Sequence, residues 1–258
     1  MGTSASHPGS GPAQPLVPEW ADSGGPDPLP EPQQARFQAF RGQLGKFVKT
    51  GSGDHLDAAL KHFARTAMGG SAAGSRRFGA MARAGSAMFG AFGAGGEGLS
   101  QALQRAGLDL AALHGASLQT VINAIVRAFT PENGDADKIE AALREALEEA
   151  LDGNTDFDVE NFQGFDEQTY VDMITNYIES CVVQQIMSEG KDSFDKAASG
   201  PEQMARENQL RATVSTVVES SMVPLVQAGI TTMTQPQLER LQIQCVAAVL
   251  QVWEGYDG

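Results

Sequence analysis

The sequence predicts an all-α fold, a multi-helix bundle preceded by a long disordered tail rich in Pro, Gly and Ser. Three observations predict it. From Pro32 onward apolar residues recur at i, i+3, i+4 and i+7, the period of a helix with one buried face. No segment alternates apolar and polar residues as a half-buried strand would, and no repeat of 20–50 residues is visible. Eight of the twelve prolines lie before residue 34, with Pro8, Pro12, Pro15 and Pro18 three or four apart. Each fixes φ and removes a donor, so residues 1–34 read as an extended, solvated segment. Such a tail is either a linker or a peptide meant for another protein's groove.

Phe37, Phe40, Leu44, Phe47 and Val48 form the apolar stripe of the first helix. Gly51-Ser52-Gly53 stops it, and Asp54 suits the N-cap of a second helix with Leu56, Ala59, Leu60, Phe63 and Ala67 inward. Gly69 to Gly98 holds ten glycines in thirty residues, although glycine disfavours a helix by about 1 kcal/mol relative to Ala. Yet Phe78, Met81, Ala82, Gly85, Met88, Phe89 and Phe92 keep helical spacing, which predicts a closely packed helix, broken near Gly85. This seam is either a core helix or a docking surface for another protein's backbone, with Arg76, Arg77 and Arg83 off the seam either as candidate contacts or as charges that neutralise the acidic half of the same chain. Short helices are expected at about 97–106, 108–114 and 117–129, followed by a turn cluster at 130–135. Beyond it IEAALREALEEAL is a strong helix former with an i, i+4 pair, Glu140 and Arg144. Helices at about 166–189, 202–227 and 236–254 complete the chain, with Pro224 kinking or ending the second of these.

Charge divides the 258 residues in three: −4 over residues 1–34, +7 over 35–131 and −17 over 132–258, a net −14. The expected organisation is a tail (1–34), a basic Gly-rich helical region (35–131) and an acidic helical bundle (132–258). Regions of opposite sign suit mutual docking or two different partners. The acidic half argues against direct nucleic-acid binding, as does an aromatic content of 7% against a base-stacking platform. No apolar run reaches 18 residues, so no membrane partner is expected. Cys181 and Cys245 lack C-x-x-C spacing and read as buried reduced thiols, which points to the cytoplasm.

The chain shows little catalytic chemistry. Gly42-Gln43-Leu44-Gly45-Lys46-Phe47 lacks the spacing of a phosphate loop, and Phe47 stands where Ser or Thr would hold magnesium. Asp152, Asn154 and Asp156 resemble the start of a calcium loop, but Phe157 replaces its glycine and Gln163 its bidentate Glu. His55 and His62 are seven apart without an H-E-x-x-H glutamate. No G-x-S-x-G, Cys–His set or nucleotide fingerprint is present, so neither enzyme activity nor a cofactor is expected.

What remains is the amino end. Gly2 favours removal of Met1, which leaves an unhindered glycine amine with a pKa of about 7.7–8.0. Extended, residues 2–19 reach roughly 55 Å, enough to thread into a partner's active site. The apolar end Leu16-Val17-Pro18-Glu19-Trp20 looks like an anchor. The start also fits the loose N-myristoylation pattern through Gly2 and Ser6.

Met1–Ser4, Pro18–Trp20 and the run Ser75–Gly85 (SRRFGAMARAG) together resemble the B component of the bacterial Qat anti-phage defence system. The resemblance implies an operon with an ATPase, a protein similar to the queuosine-biosynthesis enzyme QueC, and a TatD-like nuclease. A QueC-like enzyme activates a deazaguanine carboxylate with ATP and joins it to ammonia; in related systems a protein's N-terminal amine is the acceptor. By position, Gly2 would be the modified residue, and Thr3 and Ser4 would be read by the enzyme. His7 departs from the more uniform Ser/Gly tails of the family. Three functions follow as expectations: a non-enzymatic defence component modified at Gly2; an unmodified scaffold binding the ATPase or nuclease through its basic half; and a membrane-disturbing effector. The last is weakest, because the apolar seam is interrupted and no polybasic face accompanies it.

Overall fold

The structure, a computed structural model, describes residues 36–93, 95–108, 113–152, 164–195, 197, 199–226 and 229–256. Among the described residues every regular element is a helix, so the chain is all-α. The order is α1 (Gln38–Thr50), α2 (Gly53–His62) running into a π-turn (Phe63–Ala67), α3 (Ser71–Arg76), α4 (Gly79–Gly93) and α5 (Gly95–Arg105). There follow α6 (Leu118–Phe129), α7 (Ala136–Ala150), α8 (Glu167–Phe194), α9 (Gly200–Met222), a 3₁₀ turn (Ile230–Thr232) and α10 (Gln235–Glu254).

Two helices organise the core. α8, 28 residues and so about 42 Å long, packs against α7 and α9, and also meets α1, α4 and α10. α10 lies against α3 and α4, with α9 and α2 at its flanks. α4 therefore sits between the two, and α5 and α6 pack onto it from the outside. The turn at residues 130–135 separates α6 from α7, and apolar residues on both sides of it join one buried cluster.

Local chemistry sets the helix ends. α1 stops at Gly51, whose φ of 71° suits glycine and whose N–H donates to the Phe47 carbonyl. Arg206 of α9 covers this end, its Nε donating to the Val48 carbonyl at 3.4 Å, which favours the negative pole of α1. Ser117 caps α6 and Ser199 caps α9, while Thr234 and Gln237 form a reciprocal capping box on α10. Pro224 falls just past Met222, where α9 ends.

Four sequence expectations are corrected. Ser52, not Asp54, occupies the cap position of α2, because Gly53 is already helical and Asp54 lies in the first turn. α4 runs unbroken through Gly85; the break is at Arg77–Phe78, between α3 and α4. α8 continues past residue 189 to Phe194, since helical Gly190 leaves room for Leu44 of α1 to lie against its backbone. No helix is found at 113–114, which turn with Gly115; residues 109–112 lie outside the described residues. The calcium-like run after Asp152 and the tail, residues 1–34, also lie outside them.

Candidate functional site

The glycine-rich seam is interior. Phe78, Met81, Ala82, Gly85, Met88, Phe89 and Phe92 are all buried, as a core helix requires. The Tyr177 hydroxyl of α8 donates to the Met81 carbonyl at 2.7 Å, and that of Tyr170 to the Phe89 carbonyl at 2.8 Å. Gln242 of α10 donates its amide to the carbonyls of Ala82 (3.2 Å) and Leu238 (3.1 Å). Both partners are acceptors, which fixes the amide's orientation and turns Oε1 toward Gly85. A Cβ on Gly85 would overlap the Tyr177 ring and lie 2.6 Å from that Oε1. Gly74 and Gly93 serve alike: a Cβ at the first would be 2.7 Å from Leu250 Cδ1, and at the second would strike the Thr231 carbonyl. Burial raises the Tyr177 phenol well above its usual value and pushes the Cys181 thiol up to about 12. Both groups are neutral at physiological pH and hold the helices together. A water-sized void beside them is lined almost wholly by apolar atoms of Phe78, Met81, Ile178 and Val246.

Of the expected site residues, Arg76 ends α3, Arg77 lies in the following turn and Arg83 in the second turn of α4. Arg76 and Arg77 are half-buried; Arg83 is exposed. Arg83 pairs with Glu239 of α10 at 3.9 Å, both ends open to water, a contact worth about 0.2–1 kcal/mol. Gly2, Thr3, Ser4 and Trp20 lie outside the described residues.

The second place of interest is the root from which the tail departs. Arg36 and Phe37 are buried, at 5% and 1% exposure. The guanidinium carbons of Arg36 and Arg41 lie 5.0 and 5.3 Å from the Phe37 ring centroid. Arg41 donates Nε to the Glu189 carbonyl at 2.7 Å and pairs with its carboxylate at 3.6 Å. Ser193 donates to the Arg41 carbonyl at 3.1 Å. Glu189 accepts from Gln185 (3.4 Å), Gln185 accepts from Lys138 (2.8 Å), and Lys138 pairs with Asp135 at 2.6 Å. Buried and half-buried charges of alternating sign, with the Gln185 amide between them, thus run from the tail root across α8 to the turn before α7. The sequence reading missed this set. A signal existed: Glu189 and Ser193 continue the inward stripe of Ile178, Val182 and Ile186 at helical spacing.

Among the described residues no cluster of His, Cys, Asp and Glu could hold a metal ion, and no helix is long and apolar enough to cross a membrane. No curated protein and no solved structure matches the chain. A family model does, over residues 69–253: the Qat anti-phage system associated protein QatB. The match takes in α3 to α10, with the seam and the arginines, and its ends meet in space, since the Ser71 N–H donates to Glu254 at 2.6 Å. The chain therefore belongs to the QatB family of Qat anti-phage system proteins.

Proposed function

We propose that this component of an anti-phage system is not an enzyme but a carrier, whose N-terminal glycine is presented to a QueC-like partner. The partner converts a deazaguanine carboxylate and ATP to an acyl adenylate and pyrophosphate. The unprotonated Gly2 amine, freed of Met1, attacks the acyl carbon in place of ammonia, forming an amide as the acyl–phosphate bond breaks and AMP and a proton leave. Thr3 and Ser4 are read beside the amine, and Trp20 anchors the peptide on the partner. The observation that carries the reading is the fixed root at Arg36–Arg41, which fastens an amine-bearing, base-free peptide to a helical body. At about 3.1 Å per residue the 34 residues before the root span about 100 Å if extended. The proposed reaction is cytoplasmic, which its need for ATP and the two unpaired, buried thiols support.

Intact-protein mass spectrometry of the chain, co-expressed with and without its QueC-like neighbour, tests this. The expected result is a nucleobase adduct only in the first sample and its loss in Gly2→Leu, which retains Met1. Loss of Met1 alone in both samples, with the precursor supplied, overturns it. Trp20→Ala is expected to weaken partner capture by about 2 kcal/mol or more.

The exposure of Arg83 supports a second reading, an adaptor that binds the operon's ATPase or TatD-like nuclease through Arg76, Arg77 and Arg83. Charge reversal at all three is then expected to abolish co-purification with those proteins while the helical spectrum is kept. Undiminished capture by the folded variant rejects that surface.

A further inference from the structure

We propose that Gln185 is a positioning residue: its amide couples the tail root to the turn before α7 through a relay whose direction is fixed. Glu189, held by Arg41, offers only acceptors, whereas the Lys138 ammonium offers only donors. Between them a neutral side chain must donate at one end and accept at the other. The Gln185 amide does so, giving Nε2–H to Glu189 Oε1 at 3.4 Å and taking Lys138 Nζ–H on Oε1 at 2.8 Å. Asp135 closes the far end on Lys138, and is itself buried and held by Asn133, whose Oδ1 accepts the Asp135 N–H at 2.9 Å. At the near end Arg41 is fastened by Glu189 and Ser193, and its own N–H begins the hydrogen-bonded ladder of α1 by donating to the Phe37 carbonyl at 2.9 Å. The first turn of α1 is thereby tied to residues 135–138, on another helix and nearly a hundred residues away in sequence. The significance of the root rests on the carrier reading above; the coupling itself does not.

The test is a swap that leaves side-chain shape unchanged. Gln185→Glu sets a second carboxylate against Glu189 and removes the donor. The double variant Gln185→Glu/Glu189→Gln restores a donor at 189, keeps an acceptor for Lys138, and leaves an amide oxygen for Arg41. In amide hydrogen exchange of the full chain, the single variant is expected to speed residues 41–44 by about three- to tenfold, the loss of one net hydrogen bond. Residues 238–250 of α10 should hold their rates, and the double variant should recover at 41–44. Failure of the double variant to recover, or an equal rise in α10, overturns the proposal. The measurement uses the chain alone, so an unmodified Gly2 in the mass experiment leaves it standing.

Discussion

At Gly85 two side chains from different helices reach one stretch of backbone, and the missing Cβ is what admits them. Gly85→Ala forces the Tyr177 ring and the Gln242 amide outward, an overpacking expected to cost about 1–3 kcal/mol. The check is a urea midpoint that falls at unchanged slope, together with weaker protection of α4. Gly42 supplies the contrast. It lies exposed in mid-helix, and nothing stands within 4 Å of the place its Cβ would take. Gly42→Ala should therefore stabilise by about 0.4–1 kcal/mol, mainly by restricting the unfolded chain. The two glycines are alike in sequence and opposite in consequence, because only one is touched by residues far away in the chain.

Among the elements, the α1–α2 hairpin stands outside the family match yet inside the core. Phe40 packs on Phe63 at 5.2 Å between centroids, and Phe63 on Trp253 of α10 at 6.3 Å. Deletion of residues 1–35 leaves these contacts intact and Trp253 as the sole tryptophan. Its emission should stay that of a buried indole, and the melting temperature should hold. Deletion of residues 1–68 uncovers Trp253, so a red-shifted emission and a broad melt are expected; an unshifted spectrum would show that the hairpin is dispensable. The hairpin was legible from periodicity, since Phe37, Phe40, Leu44, Phe47 and Val48 follow one stripe and all are buried. The break between α3 and α4 was not, because glycine content marks where neighbours come close as readily as where a helix bends. The relay at the root was hidden for a related reason: Lys138, Gln185 and Arg41 meet only once α1, α7 and α8 are packed. Gly2, Thr3, Ser4 and Trp20 stand out by chemistry and resemblance, and the arginines by charge, so packing rules neither select nor reject them.

For the whole molecule, burial of neutral acids sets the alkaline limit. Burial pushes the thiols of Cys181 and Cys245 up to about 12, and raises the phenols of Tyr170 and Tyr177. An unfolded thiol releases its proton from about pH 8.5–9. Above that the folded state binds more protons than the unfolded one, so stability falls as pH rises, by about 1.4 kcal/mol per pH unit for each thiol. Stability is expected to be fully present below about pH 8 and to decline toward 12, and Cys181→Ala/Cys245→Ala should flatten that slope between 9 and 10. The position of α10 has a consequence in time as well. It is made after α1 to α9, and α3, α4, α9 and α2 all close against it. At about 5–20 residues per second, the ribosome needs roughly 10–40 s to go from the root to α10. The tail peptide thus leaves the exit tunnel well before the body it belongs to can shut, and whatever trims or reads that peptide can meet it while the protein is still being born.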